Sequence, residues 1–473
     1  MNVNAAKRPN IIYIMSDDHA AHAISAYGSR INKTPNIDRI AEEGMRFDNC
    51  FCTNSICAPS RAVILTGKYN HLCGVQTLKE NFDSRQPTVP KMLQEGGYQT
   101  ALIGKWHLGH GGISDPTGFD YWNVFIEQGE YHNPDMIEMG EKKTFTGYAT
   151  DLVADFSIDW MNKRNKEQPF FLMCHHKAPH RPWEPDEKHK HMYENEEIPE
   201  PETFYDDYEN RSEAASVATM RIDDLKERDT KGKPPEGLAP QEVKQWKYQR
   251  YIKDYLRCIA SVDDNVGRIL DYLDEEGIAE DTIVIYTSDQ GFFLGDHGWY
   301  DKRFMYEESL RMPFLVRYPR GIRPSSINND MILNLDFAET FLDYAELPVP
   351  NDMQGRSLRP LFNGETPKEW RTSMYYRYWM HYDQFHKVYS HYGIRTQQYK
   401  LIYYYGETFG YRGSFEHQIT PEWEMFDLKA DPYEMNNVYD SPQYAQIQNE
   451  LIAELEQLQA QYKDEGLHRR HSG

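Results

Sequence analysis

Three short apolar runs, each closed by polar side chains, limit the fold of this chain more than any other feature of its sequence. Asn10-Ile11-Ile12-Tyr13-Ile14-Met15 ends in Ser16-Asp17-Asp18, and Thr282-Ile283-Val284-Ile285-Tyr286-Thr287 ends in Ser288-Asp289-Gln290-Gly291. Phe170-Phe171-Leu172-Met173-Cys174 ends in His175-His176. Apolar runs without alternation read as strands covered on both faces, the condition of a parallel strand under helices. Helical stretches over 36–44 and 251–276 alternate with them. The predicted fold is therefore α/β, with a large mixed, mainly parallel sheet sandwiched by helices. Ligands of such sheets sit off the carboxyl ends of the strands. Three of those ends carry Asp, Asp or His, which is the first functional signal.

Residues 184–210 hold eleven acidic side chains and two lysines, followed by a polar tract to Lys244. This predicts a solvated surface excursion, with a lid or rim as the alternative. Residues 374–405 are dense in tyrosine and alternate like antiparallel strands. Tyr444, Ile447, Leu451, Leu455 and Leu458 follow at helical spacing. A main domain over 8–365 and a smaller C-terminal α+β subdomain over 366–473, an antiparallel sheet plus helix completing the pocket, are expected. Composition excludes some classes. With 52 basic and 74 acidic side chains the chain carries a net charge of −22, the wrong sign for a protein that tracks nucleic-acid phosphates. No apolar run approaches the roughly 20 residues of a membrane span. No secretion signal is legible in Met1–Pro9, and six cysteines are too few for a disulfide scaffold.

Cys57-Ala58-Pro59-Ser60-Arg61, followed by Leu65-Thr66-Gly67, is the most specific motif. On residue types alone it is a thiol beside a helix N-terminus. The string resembles the signature of the type I, formylglycine-dependent sulfatases of the alkaline phosphatase superfamily. The resemblance runs on through Asp17-Asp18, Gly104-Lys105-Trp106-His107, Pro179-His180-Arg181-Pro182, Ser288-Asp289-Gln290-Gly291 and Asp296-His297-Gly298 to Lys302. It extends to the stretch Trp423–Asn436. Among type I enzymes the chain looks most similar to bacterial carbohydrate sulfatases and the glucosamine-6-sulfatase group.

That resemblance implies an alkaline-phosphatase-like fold and hydrolysis of sulfate monoesters on a sulfated carbohydrate, such as glycosaminoglycan, mucin or algal fragments. It implies that a maturation enzyme converts Cys57 to formylglycine, whose hydrate attacks sulfur and passes through a covalent sulfo-enzyme intermediate. One Ca²⁺ per chain would be held by Asp17, Asp18, Asp289 and Gln290 with residue 57; oxygen donors suit a hard cation. Arg61, Lys105 and Lys302 would supply fixed positive charge. Asp289 would accept the proton of the nucleophile, His180 or Lys302 would protonate the leaving oxygen, and His107 would help expel sulfate. Sequence neighbours of these positions, His110, Arg181, Trp183 and Trp299, with His381 and His386 from the tyrosine-rich segment, are the expected sugar contacts. The compartment implied is periplasmic or extracellular, with the cytoplasm left open. A two-zinc phosphatase would want nitrogen where Gln290 stands. A formylglycine-dependent phosphonate or phosphate monoester hydrolase, and a non-catalytic glycan-binding relative, remain as alternatives.

Overall fold

The computed structural model describes residues 8–464. Met1–Lys7, where most of the secretion-signal reading falls, and residues 465–473 of the expected C-terminal subdomain lie outside the described residues. The first apolar run forms β1 (Asn10–Ser16), the chain's central strand. It continues through β2 (Met45–Phe51), β3 (Gln99–Gly104), β4 (Tyr121–Phe125), β5 (Asp135–Glu138), β6 (Glu141–Thr144) and β7 (Phe170–His175). After β8 (Thr282–Ser288) come a hairpin of β9 (Phe293–Leu294) and β10 (Tyr300–Asp301), then β11 (Arg311–Arg317), β12 (Ser326–Asn328) and β13 (Ile332–Leu333). The large sheet has the order β12-β2-β11-β8-β1-β7-β3-β4-β5-β6, with β13 also on β2.

The pairs β8-β1, β1-β7, β7-β3 and β3-β4 are parallel, while β11 and the β5–β6 edge run antiparallel. Every residue of β1, β7 and β8 is buried. Alternate side chains of β1 enter two apolar layers, Ile11, Tyr13 and Met15 on one face and Ile12 and Ile14 on the other. The helix Cys57–Thr66 lies in the first layer; Ala149–Lys163 and the 36-residue helix Pro240–Glu275 lie in the second. This is the helix–sheet–helix sandwich that the apolar runs predict.

The register sets the site. Ser16 pairs with Ser288, Met15 with His175, and His175 with Gly104, so four parallel strands end level. Gly104 has φ +104° and a Cβ there would lie 1.9 Å from the His175 carbonyl oxygen. Only glycine permits that approach, and it delivers Lys105 to the same edge as Asp17 and Asp289.

A second sheet, β14 (Ser373–Tyr378), β15 (His391–Thr396), β16 (Tyr399–Tyr404) and β17 (Glu422–Asp427), is antiparallel throughout. The helix Ala445–Gln461 buries Leu451, Leu455 and Leu458 in the core shared with this sheet. Tyr376 of β14 braces the site: its hydroxyl donates to the Arg303 carbonyl at 2.6 Å and accepts from the Ser55 amide at 3.0 Å.

Two expectations need correction. The acidic segment 184–210 is not a purely solvated excursion. Ile198 and Phe204 are buried, and Phe204 packs on Tyr248 with ring centroids 5.0 Å apart. The long helix starts at Pro240, inside the polar tract and before the expected start at 251, because Pro240 occupies its first turn and Glu242 accepts the Ala239 amide at 2.7 Å.

Arg371, just before β14, makes a paired contact with Asp336, with one nitrogen–oxygen distance of 2.6 Å and both side chains buried. Asp336→Ala would leave that guanidinium unpaired, at a cost of about 3–5 kcal/mol. Thermal unfolding of Asp336→Ala should begin well below wild type, and Arg371→Leu in the same chain should recover part of the loss. An unchanged midpoint for Asp336→Ala would contradict this account of how the two sheets are joined.

Candidate active site

Cys57 is the first residue of a helix whose ten residues are all buried, and no side chain caps its N-terminus. The free amides and the helix dipole therefore turn positive potential toward residue 57. Arg61, one turn on, donates from Nε and a terminal nitrogen to Asp289 Oδ2 at 3.0 and 2.9 Å, and to the Lys105 carbonyl at 2.9 Å. Ser60 donates to the Asp289 carbonyl and accepts from Asn334 Nδ2 at 2.9 Å. The helix is thus tied to the end of β8 by two side chains, Ser60 and Arg61.

Asp17, Asp18 and Asp289 are buried together, 0–1% exposed. Asp289 Oδ1 accepts from the Asp18 amide at 3.3 Å. Lys105 pairs with Asp17, and Lys302 Nζ reaches both Asp18 oxygens at 2.6 and 2.7 Å. Gln290 donates to Asp18 through Nε2. Asp18 and His107 hold left-handed backbone, φ 68° and 56°. Such conformations cost about 1–3 kcal/mol each and persist where the surroundings impose them.

The electrostatics are unequal. Burial would raise Asp17, but Lys105, His180 and Arg61 hold it well below the usual carboxylate range. Burial pushes Asp18 up to about 7 against the pull of Lys302, with repulsion from Asp17 and Asp289 adding to it. Burial, then the Asp17 charge, raises Asp289 to about 6. These carboxyls want more positive charge than the protein gives them. Asp17 Oδ1 and Gln290 Oε1 are buried without a hydrogen-bond partner. Oxygen donors of this kind fit a hard divalent cation. Ligand atoms of Asp17, Asp18 and His180 lie within 4.8 Å of one another. His180, which the sequence reading kept out of the metal set, therefore borders it; its Nε2 is 3.9 Å from Asp18 Oδ2.

Two histidines have assigned protons. His180 Nδ1 donates to the Arg181 carbonyl at 2.6 Å, leaving a lone pair on Nε2. His107 Nε2 is 3.1 Å from Gln128 Nε2, while Gln128 Oε1 accepts from Lys105 Nζ. An ammonium has only donors, so the amide oxygen must face Lys105 and the amide nitrogen must donate to His107. The His107 proton is then on Nδ1, which has no hydrogen-bond partner. Burial, with Lys105 adding, holds His107 well below its ordinary value.

The expected core residues Cys57, Arg61, Lys105, His107, His180, Asp289, Lys302, Asp17, Asp18 and Gln290 are brought to one edge of the sheet. The expected sugar contacts are not. Trp183 and Trp299 are wholly buried, Trp183 against Tyr251 and Trp299 between Tyr208 and Phe304, so neither presents a face to a ligand. His381 is buried and held by the His417 carbonyl at 3.0 Å. Arg181 pairs with Asp229 and lies over Tyr300. His110 is part-buried, accepting the Glu127 amide at 3.1 Å. His386 stands nearer, between Asp383 and Asp301, beside Lys302. Gln128, Asn334 and Lys177 escaped the sequence reading; the only available signal was Gln128 following the apolar run of β4.

Comparison with known proteins places the chain among the sulfatases. The Sulfatase family model matches residues 9–347, and the model for the C-terminal part of N-sulphoglucosamine sulphohydrolase matches 295–461. An N-acetylglucosamine-6-O-sulfatase of Bacteroides thetaiotaomicron is 45% identical over 97% of this chain and 87% of its own. The human N-acetylglucosamine-6-sulfatase is 29% identical over 79% of this chain and 67% of its own. A solved structure in complex with its substrate D-glucosamine-2-N,6-O-disulfate superposes with a TM-score of 0.91, at 44% identity over 97% of this chain and 99% of that one.

Proposed function

Because this chain belongs to the sulfatase family, we propose that the centre around Cys57 cleaves a 6-O-sulfate ester from a glucosamine unit. The chain is a sulfuric ester hydrolase of carbohydrate sulfates. One observation supports this placement above others: Arg61, on the Cys57 helix, grips Asp289 at the strand end next to Asp17. The amino-sugar 6-sulfate follows from the relatives named above. No helix among the described residues is long and apolar enough to cross a membrane. Sulfated glycans are met outside the cytoplasm, so the proposed compartment is periplasmic or extracellular.

Hydrated formylglycine at position 57 would supply a hydroxyl nucleophile, and a calcium ion would supply positive charge for the sulfate oxygens. Asp17, Asp18, Asp289 and Gln290 would hold that ion. Cys57 is 1% exposed, so a maturation enzyme would reach it before the fold closes. Arg61, Lys105 and Lys302 place fixed cations around residue 57, where charge shifts during displacement. Asp289, through the Oδ1 that Arg61 leaves free, takes the proton of the nucleophile. His180 delivers a proton from Nε2 to the leaving oxygen, since Nδ1 is engaged by Arg181. Burial and the nearby lysines hold His180 well below its ordinary value despite Asp17; the anionic substrate would offset them, so that Nε2 takes a proton from solvent before passing it on. His107 exchanges its proton at Nδ1, the nitrogen that Gln128 leaves free.

A sugar alkoxide leaves far less readily than a nitrophenolate, so protonation matters more for sugars. His180→Ala should lower sulfate release from N-acetylglucosamine 6-sulfate by about 10²–10⁴-fold. Its effect on nitrophenyl sulfate should be much smaller. Equal losses on both esters would make Lys302 the acid instead.

Calcium must displace the protons that burial keeps on Asp18 and Asp289, raised to about 7 and 6. Both carboxyls bind protons more tightly folded than unfolded. In metal-free protein their ionisation therefore costs stability as pH rises through 6 and 7, and calcium reverses this. Titration calorimetry should show affinity rising from pH 5 to 7.5, by up to about tenfold per unit for each proton released. A flat profile would remove Asp18 and Asp289 from the ligand set.

A further inference from the structure

Beside this centre, a chain of net charge −22 carries a cleft in whose walls five basic side chains face three acidic ones. An inner cavity of 390 Å³ is lined by Gly129, next to Gln128, and by Glu130, Tyr131, Lys177, Pro182 and Glu184. Lys177 and Pro182 flank His180, so the cavity adjoins the residues placed around the ester. The Lys177 side chain is 2% exposed and its ammonium lies 4.7 Å from the Tyr131 ring centroid. Among the described residues no hydrogen bond or ion pair holds that ammonium. Burial, with Lys105 adding, brings it down to about 8, as expected of a cation with no counter-ion.

His132 and Glu184 are shared walls between this cavity and an outer one of 590 Å³. Lys190, Lys231, Arg250, Lys253 and Arg257 line the outer cavity, against Glu184, Glu194 and Asp254. Lys231 and Arg257 spend their charge on Asp254, and Lys190 on Glu187. Arg250 donates Nε to the Thr230 carbonyl, which leaves its terminal nitrogens free. Neither Arg250 nor Lys253 has a carboxylate within 4 Å among the described residues. A strongly acidic protein repels a polyanion at long range, and a local cationic wall is what offsets this at the site of contact.

We propose that the two cavities form one track for an anionic oligosaccharide, with the sugar next to the hydrolysed one passing Lys177 and its sulfate or carboxylate lying on Arg250 and Lys253. This rests on the reading of the Cys57 centre as the sulfate site. The test compares kcat/KM for N-,6-O-disulfated glucosamine with that for a sulfated tetrasaccharide ending in the same sugar. Wild type should prefer the tetrasaccharide. In Lys253→Glu and Arg250→Glu that preference should fall about 5- to 10-fold, through KM, whereas Lys253→Arg should keep it. High salt should shrink the wild-type preference and leave the reversed variants little changed. The proposal is overturned if wild type has no preference or if the charge reversals retain it. Failure of wild type to release sulfate from either substrate would instead sink the reading of the centre itself.

Discussion

Three carboxylates buried at two neighbouring strand ends are the constraint from which the rest of the structure follows. The parallel register that pairs Ser16 with Ser288 places Asp17 and Asp18 beside Asp289, away from water. Like charges so close and so buried would not remain together unaided. Three cations offset them, each from a different part of the chain: Arg61 from the helix after β2, Lys105 from the end of β3, and Lys302 from the end of the β9–β10 hairpin. The charges that make the centre expensive to bury are the ones that hold its pieces in place. Even so, Asp18 and Asp289 stay near 7 and 6, and this residual need for positive charge makes the site suited to a divalent cation.

The second sheet belongs to the same argument. Tyr376 of β14 touches both the Ser55 amide, two residues before Cys57, and the Arg303 carbonyl, one residue after Lys302. Arg377 donates its amide to the Thr53 carbonyl at 3.1 Å. Movement of β14 would therefore disturb the nucleophile position and one of its cations together. Asp383 and His386, in the loop after β14, extend this support to Asp301 and Arg303.

Much of this was legible in the sequence because it is local. An apolar run followed by Asp announces a buried strand and its functional end, and β1, β7 and β8 lie where the runs put them. The Cys57–Arg61 string carried its own identity, since five adjacent residues can define a helix start with an anion-facing arginine. Other features are tertiary, and their only trace was the place of Gln128 after the apolar run of β4. Gln128 matters because β4 ends opposite Lys105 and His107, and Asn334 because Ser60 is across the core from it. Trp183 and Trp299 were drawn into the sugar-binding set by nearness in sequence to His180 and Lys302. A large aromatic two or three residues from a reactive group more often turns inward to bury its area, and both do so. The start of the long helix was hidden because its first two turns are exposed or half-buried and mostly polar; only Pro240 and Glu242 marked it.

The chemistry of this centre depends on residue 57. Protein that releases sulfate from N-acetylglucosamine 6-sulfate should be digested and the peptide containing residue 57 weighed against the same peptide from an inactive preparation. The active sample should carry the aldehyde, with the thiol lost, in proportion to its activity. Full activity with an intact cysteine would contradict the proposed chemistry at this centre.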